Sequence, residues 1–98
     1  MVEDFVAERY WKQFHTPKNL AISIAIEAAE LMEIFQWSEE NDLSAALYAR
    51  VEEELADVII YSLALANATG MDLSGAVRKK NKKNALKYPV DKYLGRYK

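Results

Sequence analysis

Residues 26–37 read IEAAELMEIFQW and set three carboxylates, Glu27, Glu30 and Glu33, among the most apolar residues of the chain. Upstream, residues 20–25 continue the run as LAISIA, so the helix these residues form is apolar on nearly every side. Thr16-Pro17 supplies an N-cap and a residue suited to the first helical turn, which starts this helix and carries it to about Trp37. Outward from this helix the turn signals give three more. A first helix covers roughly residues 3–14, with Phe5, Val6, Arg9, Tyr10 and Phe14 at helical spacing. Residues 38–43 are polar and read as a loop, with Asp42 as the cap of a third helix reaching about Asn67. Gly70 suits the left-handed position that ends it, Asp72 or Ser74 caps a fourth, and Pro89 stops the fourth. Only residues 58–61, VIIY, favour a strand, and they lie inside a helical pattern with no breaker before Gly70. The fold class is all-α, and short connections predict antiparallel neighbours in a small bundle. Residues 90–98 are expected to order only against another subunit.

The length of 98 residues implies a single domain, residues 1–98, small enough that a partner chain is expected to complete its core. No uncharged apolar run is long enough to cross a bilayer, and no basic segment followed by an apolar core opens the chain. The expectation is a cytoplasmic protein with no membrane partner. Without cysteine, and with His15 as the single histidine, chemistry falls to oxygen ligands. The net charge of −2 conceals an asymmetry: residues 1–57 hold 13 acidic and 4 basic residues, net −9, while residues 58–98 hold 2 and 9, net +7. That distribution suits a cation site facing an anion site.

Glu27 and Glu30 are three residues apart, as are Glu54 and Asp57, so each pair projects from one helical face within one turn. Such pairs are common on solvated helices. Here both are flanked by Ile, Leu, Val and Ala, where bare carboxylates are costly unless protons, basic groups or cations neutralise them. With few basic residues nearby, a divalent cation is the economical solution, and an all-oxygen ligand set favours Mg²⁺ or Mn²⁺ over zinc. A di-iron bundle typically uses Glu-x-x-His on two helices, and His15 does not follow a glutamate by three. Lys80 and Asn84 share a helix face at i,i+4, where ammonium and amide can reach the same phosphate oxygens. The basic run at residues 78–83 lies all round its helix without interleaved aromatics, which argues against nucleic acid as a partner.

Four motifs occur in order: YWKQFHTPKNL at residues 10–20, Glu27-x-x-Glu30 leading to Phe35-Gln36-Trp37, EELADVIIY at residues 53–61, and Lys80-x-x-x-Asn84-x-x-x-Tyr88-Pro89. Together they resemble the MazG-like nucleoside triphosphate pyrophosphatases, within that all-α group the dCTP pyrophosphatase branch. The resemblance implies a four-helix bundle completed by oligomerisation, as a dimer or tetramer. It implies hydrolysis of a (deoxy)nucleoside triphosphate, dCTP or a modified pyrimidine deoxynucleotide, to the monophosphate and pyrophosphate. It assigns Glu27, Glu30, Glu54 and Asp57 as Mg²⁺ ligands, Lys80 and Asn84 as phosphate contacts, and Trp11 and Trp37 as the rings that stack on the base. Glu33 then binds a second metal, accepts a proton from the attacking water, or is ordinary surface, and Tyr61 lines the pocket near the sugar or fills the core. His15, just before the Thr16 cap, suits a loop or capping role. The dCTP branch also has a histidine on an N-terminal extension without counterpart here, which leaves the base preference open. The competing function is a nonenzymatic helical module that senses nucleotide or binds a partner.

Overall fold

The computed structural model describes residues 1–9, 11–36 and 44–95. Helix α1 (Val2–Glu8) carries Glu3 and Asp4 in its first turn, where negative charge favours the helix N-terminus. It stops earlier than the spacing predicts. Arg9 leaves helical geometry at φ −102°, ψ 4°, and Trp11–Phe14 form a separate 3₁₀ turn. The cause is a contact between side chains. In an unbroken helix Phe5 and Trp11, six residues apart, would point about 120° apart; the break brings their rings edge to face with centroids 5.5 Å apart. Arg9 fastens the turn, its guanidinium 3.6 Å from the Phe5 ring centre and its Nη1 donating to the Phe5 carbonyl at 3.1 Å.

Helix α2 (Pro17–Phe35) begins as predicted: Thr16 Oγ1 accepts the Asn19 N–H at 3.2 Å, and Pro17 occupies the first turn. The Asn19 side chain donates to the Phe14 carbonyl and ties the 3₁₀ turn to this start. Helix α3 (Ala45–Thr69) is capped by Ser44, whose Oγ accepts from Leu47 N–H. Asp42, the predicted cap, lies outside the described residues with the rest of the predicted loop. Residues 58–61 are helical as expected. Gly70 ends α3 at φ 69°, with Gly70 N–H donating to Asn67 and Met71 N–H to Ala66, the paired bonds of a Schellman stop. Asp72 caps α4 (Leu73–Lys87) by accepting the Gly75 N–H. Pro89 follows the end of α4 and opens α5 (Val90–Tyr93), so part of the predicted irregular tail is helical within the chain itself.

Most tertiary packing joins α2 to α3, and α1 lies on α3. His15, at the start of α2, shares a cavity with Ala64, whereas Glu27, farther along, meets Glu54; the two helices therefore run antiparallel. Leu20 is 1% exposed, and Val6, Ile34, Ala64 and Ala66 complete the buried apolar set among the described residues. α4 packs only marginally on the other helices. The architecture is all-α as expected, and the chain alone leaves the bundle open. Its radius of gyration is 17.0 Å, against about 13 Å for a compact domain of this size. It exposes 8249 Å², about 2,500 Å² more than a compact chain of the same mass would.

Candidate functional site

The antiparallel α2–α3 pair brings the two predicted acid pairs face to face. One carboxylate oxygen from each of Glu27, Glu30 and Glu54 lies within 4.8 Å of the others. Glu27 and Glu54 are half-buried and Glu30 is exposed. The Oε2 atoms of Glu27 and Glu54 are shielded from water and accept no hydrogen bond. Burial raises the Glu27 carboxyl to about 7, helped by hydrogen bonding with Glu30 and by the charges of Glu30, Asp57 and Glu54. Burial also raises Glu54, reinforced by Glu30 and Asp57 and opposed by a hydrogen bond with Glu27. Two shielded acceptor oxygens without a donor, in a cluster of like charges, fit a bound cation.

Asp57, half-buried one turn beyond Glu54, acts on the cluster through its charge but stands outside the tight group of three. It lines a neighbouring cavity of about 370 Å³, mostly apolar, with Phe5, Trp11, His15, Ile60 and Tyr61. Trp11 is 42% exposed, so its ring is available at the mouth of this cavity, and Tyr61 is half-buried there. Glu33 is exposed and does not join the three acids. Lys80 is exposed and Asn84 half-buried on α4, which the fold does not bring against the carboxylates. Trp37 lies outside the described residues.

The sequence did not signal Phe5 as part of this cavity, because its place depends on the break after α1. His15, given a loop or capping role by its position, leaves capping to Thr16 and lines the cavity. Its placement immediately before a helix that packs on α3 was the available sign.

Among known proteins, residues 22–98 match the MazG-like family. The chain is 41% identical over 92 residues to dCTP pyrophosphatase 1 of Mus musculus, covering 89% of this chain and 54% of the relative. It is 42% identical to dCTP pyrophosphatase 1 of Homo sapiens over the same shares of each chain. It thus spans about half the length of the curated relatives it matches. The crystal structure of a pyrophosphatase from Archaeoglobus fulgidus superposes with a TM-score of 0.81 at 46% identity, covering 90% of this chain and 85% of that one. With a family match over most of the chain and a solved pyrophosphatase of the same fold at 46% identity, the chain belongs to the MazG-like family.

Proposed function

We propose that this chain, folded as one domain over residues 1–98, is a cytoplasmic nucleoside triphosphate pyrophosphohydrolase that houseclears the nucleotide pool. Water adds across the bond between the α and β phosphoryl groups of a deoxynucleoside triphosphate, dCTP or a modified pyrimidine nucleotide, giving the monophosphate and pyrophosphate. The names of its relatives, dCTP pyrophosphatase 1 and a pyrophosphatase, support this reaction. The observation that carries it is the pair of shielded, donorless oxygens on Glu27 and Glu54, beside an apolar cavity with an indole at its mouth.

Glu27, Glu30 and Glu54 would hold a divalent ion, Mg²⁺ or alternatively Mn²⁺, with Asp57 completing the ligand set from the cavity side. When bound, such an ion neutralises phosphate charge and makes a coordinated water more acidic. The side chains of this chain do the positioning. Trp11, steadied by Phe5, stacks on the base together with Trp37, and Tyr61 packs beside the sugar. Exposed Glu33, one turn beyond Glu30, accepts the proton released by the attacking water. Lys80 and Asn84 contact the phosphates from α4, which reaches a neighbouring subunit's acids in a homo-oligomer; the marginal packing of α4 on its own chain supports that arrangement.

Incubation with each deoxynucleoside triphosphate and Mg²⁺ should yield equal amounts of monophosphate and pyrophosphate, abolished by EDTA. Release of a diphosphate with inorganic phosphate would mean that a different bond is cut. No turnover of any nucleotide would reject the enzyme.

A further inference from the structure

We propose that a second, polar cavity beyond the apolar one reads the hydrogen-bonding edge of the base, with Glu3 and Asn67 as its specificity-determining residues. This deepens the nucleotide reading above and rests on it. The cavity, about 280 Å³, lies between α1 and α3 and is lined by Glu3, Val6, His15, Ala64, Asn67 and Ala68. It adjoins the aromatic-walled cavity, with which it shares Val6, His15 and Ala64.

The order of chemistry along α3 identifies what the two cavities hold together. Glu54, Asp57, Tyr61 and Ala64 follow one another at steps of three and four residues and share one helical face, and Asn67, one turn on, lies at its border. They span about 20 Å of helix axis. Along that line come the acid cluster, an apolar chamber with an indole and a phenol, and then a polar end. A nucleotide has the same sequence of needs: charged phosphates, a sugar, an aromatic face, and an edge of donors and acceptors.

The polar end also has a definite sense. A carboxylate such as that of Glu3 accepts hydrogen bonds, and the Asn67 amide offers two N–H donors. An exocyclic amino group donates to Glu3, while the adjoining ring nitrogen or carbonyl accepts from Asn67. A base with a carbonyl in place of that amino group sets oxygen against carboxylate. Amino-edged bases are therefore preferred to their carbonyl counterparts. Both residues line the cavity and are exposed.

The test compares kcat/KM for dCTP, dUTP, dATP and dGTP in the wild type, Glu3→Gln, Asn67→Ala and Asn67→Gln. The ratio of dCTP to dUTP should fall by about tenfold in Glu3→Gln and Asn67→Ala, the size of one lost hydrogen bond. The change should appear in KM with kcat retained, and Asn67→Gln should recover part of it. Unchanged ratios, or equal losses on all four substrates, overturn the proposal while leaving the enzyme intact. Quenching of tryptophan fluorescence by deoxycytidine and deoxyuridine, which carry no phosphate, separates the two readings. A wild-type preference for deoxycytidine that disappears in Asn67→Ala upholds the edge-reading cavity even if no triphosphate is hydrolysed; equal quenching by both nucleosides sinks it.

Discussion

Glu54 carries two opposing effects in one side chain. Its shielded oxygen fits a cation, and its charge adds to those of Glu30 and Asp57 in raising Glu27 when no ion is near. Glu54→Gln should lower kcat/KM by about 10²-fold or more, since a metal-ligand carboxylate serves several kcal/mol of charge stabilisation. The same variant should melt at a higher temperature than the wild type in EDTA, because one of the crowded charges is gone, and should respond less to Mg²⁺. Circular dichroism and thermal melts check both; a variant with normal turnover removes Glu54 from the site. Glu27 makes the ion-free fold sensitive to pH. With its carboxyl raised from 4.5 to about 7, the folded chain holds a proton that the unfolded chain releases between those values. The contribution of this carboxyl to stability without metal is therefore fully present below about pH 4.5 and declines as pH rises through about 7. Melting curves in EDTA from pH 4 to 8 should show that decline, and Mg²⁺ should raise the melting temperature more at pH 8 than at pH 5. The acids were legible because their spacing and apolar neighbours are local facts. That Asp57 lines the apolar cavity while the other three converge was not, since it depends on how α2 and α3 are set against each other.

Helix boundaries were legible where one residue decides them and illegible where a distant contact does. Thr16-Pro17, Gly70 and Asp72 end or begin helices by their own conformational and hydrogen-bonding habits, and the structure uses all of them as read. The end of α1 was not readable, because Trp11 abandons helical spacing to meet Phe5 under Arg9. The tail beyond Pro89 misled for the opposite reason: its composition is polar, yet Pro89 sets Val90 at the start of a helical turn. Gly70 offers a direct test. At φ 69°, with open space around the position an added Cβ would occupy, Gly70→Ala meets conformational strain and no clash. It should destabilise the fold by about 1 kcal/mol, the cost of a left-handed non-glycine residue. Chemical denaturation reads this directly, and an unchanged midpoint would mean that the Schellman stop is not formed in solution.

At the scale of the whole molecule the apolar surface is unfinished. Leu55 is 49% exposed and Ile59 52%, and with Tyr48 they form a stripe at helical spacing along the side of α3 turned away from the acids. A shallow cavity lined by Tyr48, Val51, Leu55, Ile59 and Leu63 runs beneath it. An excess exposure of about 2,500 Å² per chain, or about 5,000 Å² for a pair, is on the scale that obligate homodimers bury. Light scattering should give at least a dimer, and Ile59→Glu should shift it toward monomer with loss of turnover; a fully active monomer would refute the assembly. Fold class was legible from helix spacing and stop signals, whereas the open shape was not, because sequence patterns show that a face is apolar without showing what covers it.

The slender join between α3 and α4 has its own consequence. Only Gly70, Met71 and Asp72 separate the two helices, and α4 finds little purchase on its own chain. In the assembly proposed above, where the arm carrying Lys80 and Asn84 settles against a sister molecule, catalysis is a second-order event at low protein levels. Turnover per chain should then climb as the preparation is concentrated and level off once nearly every arm has found its berth.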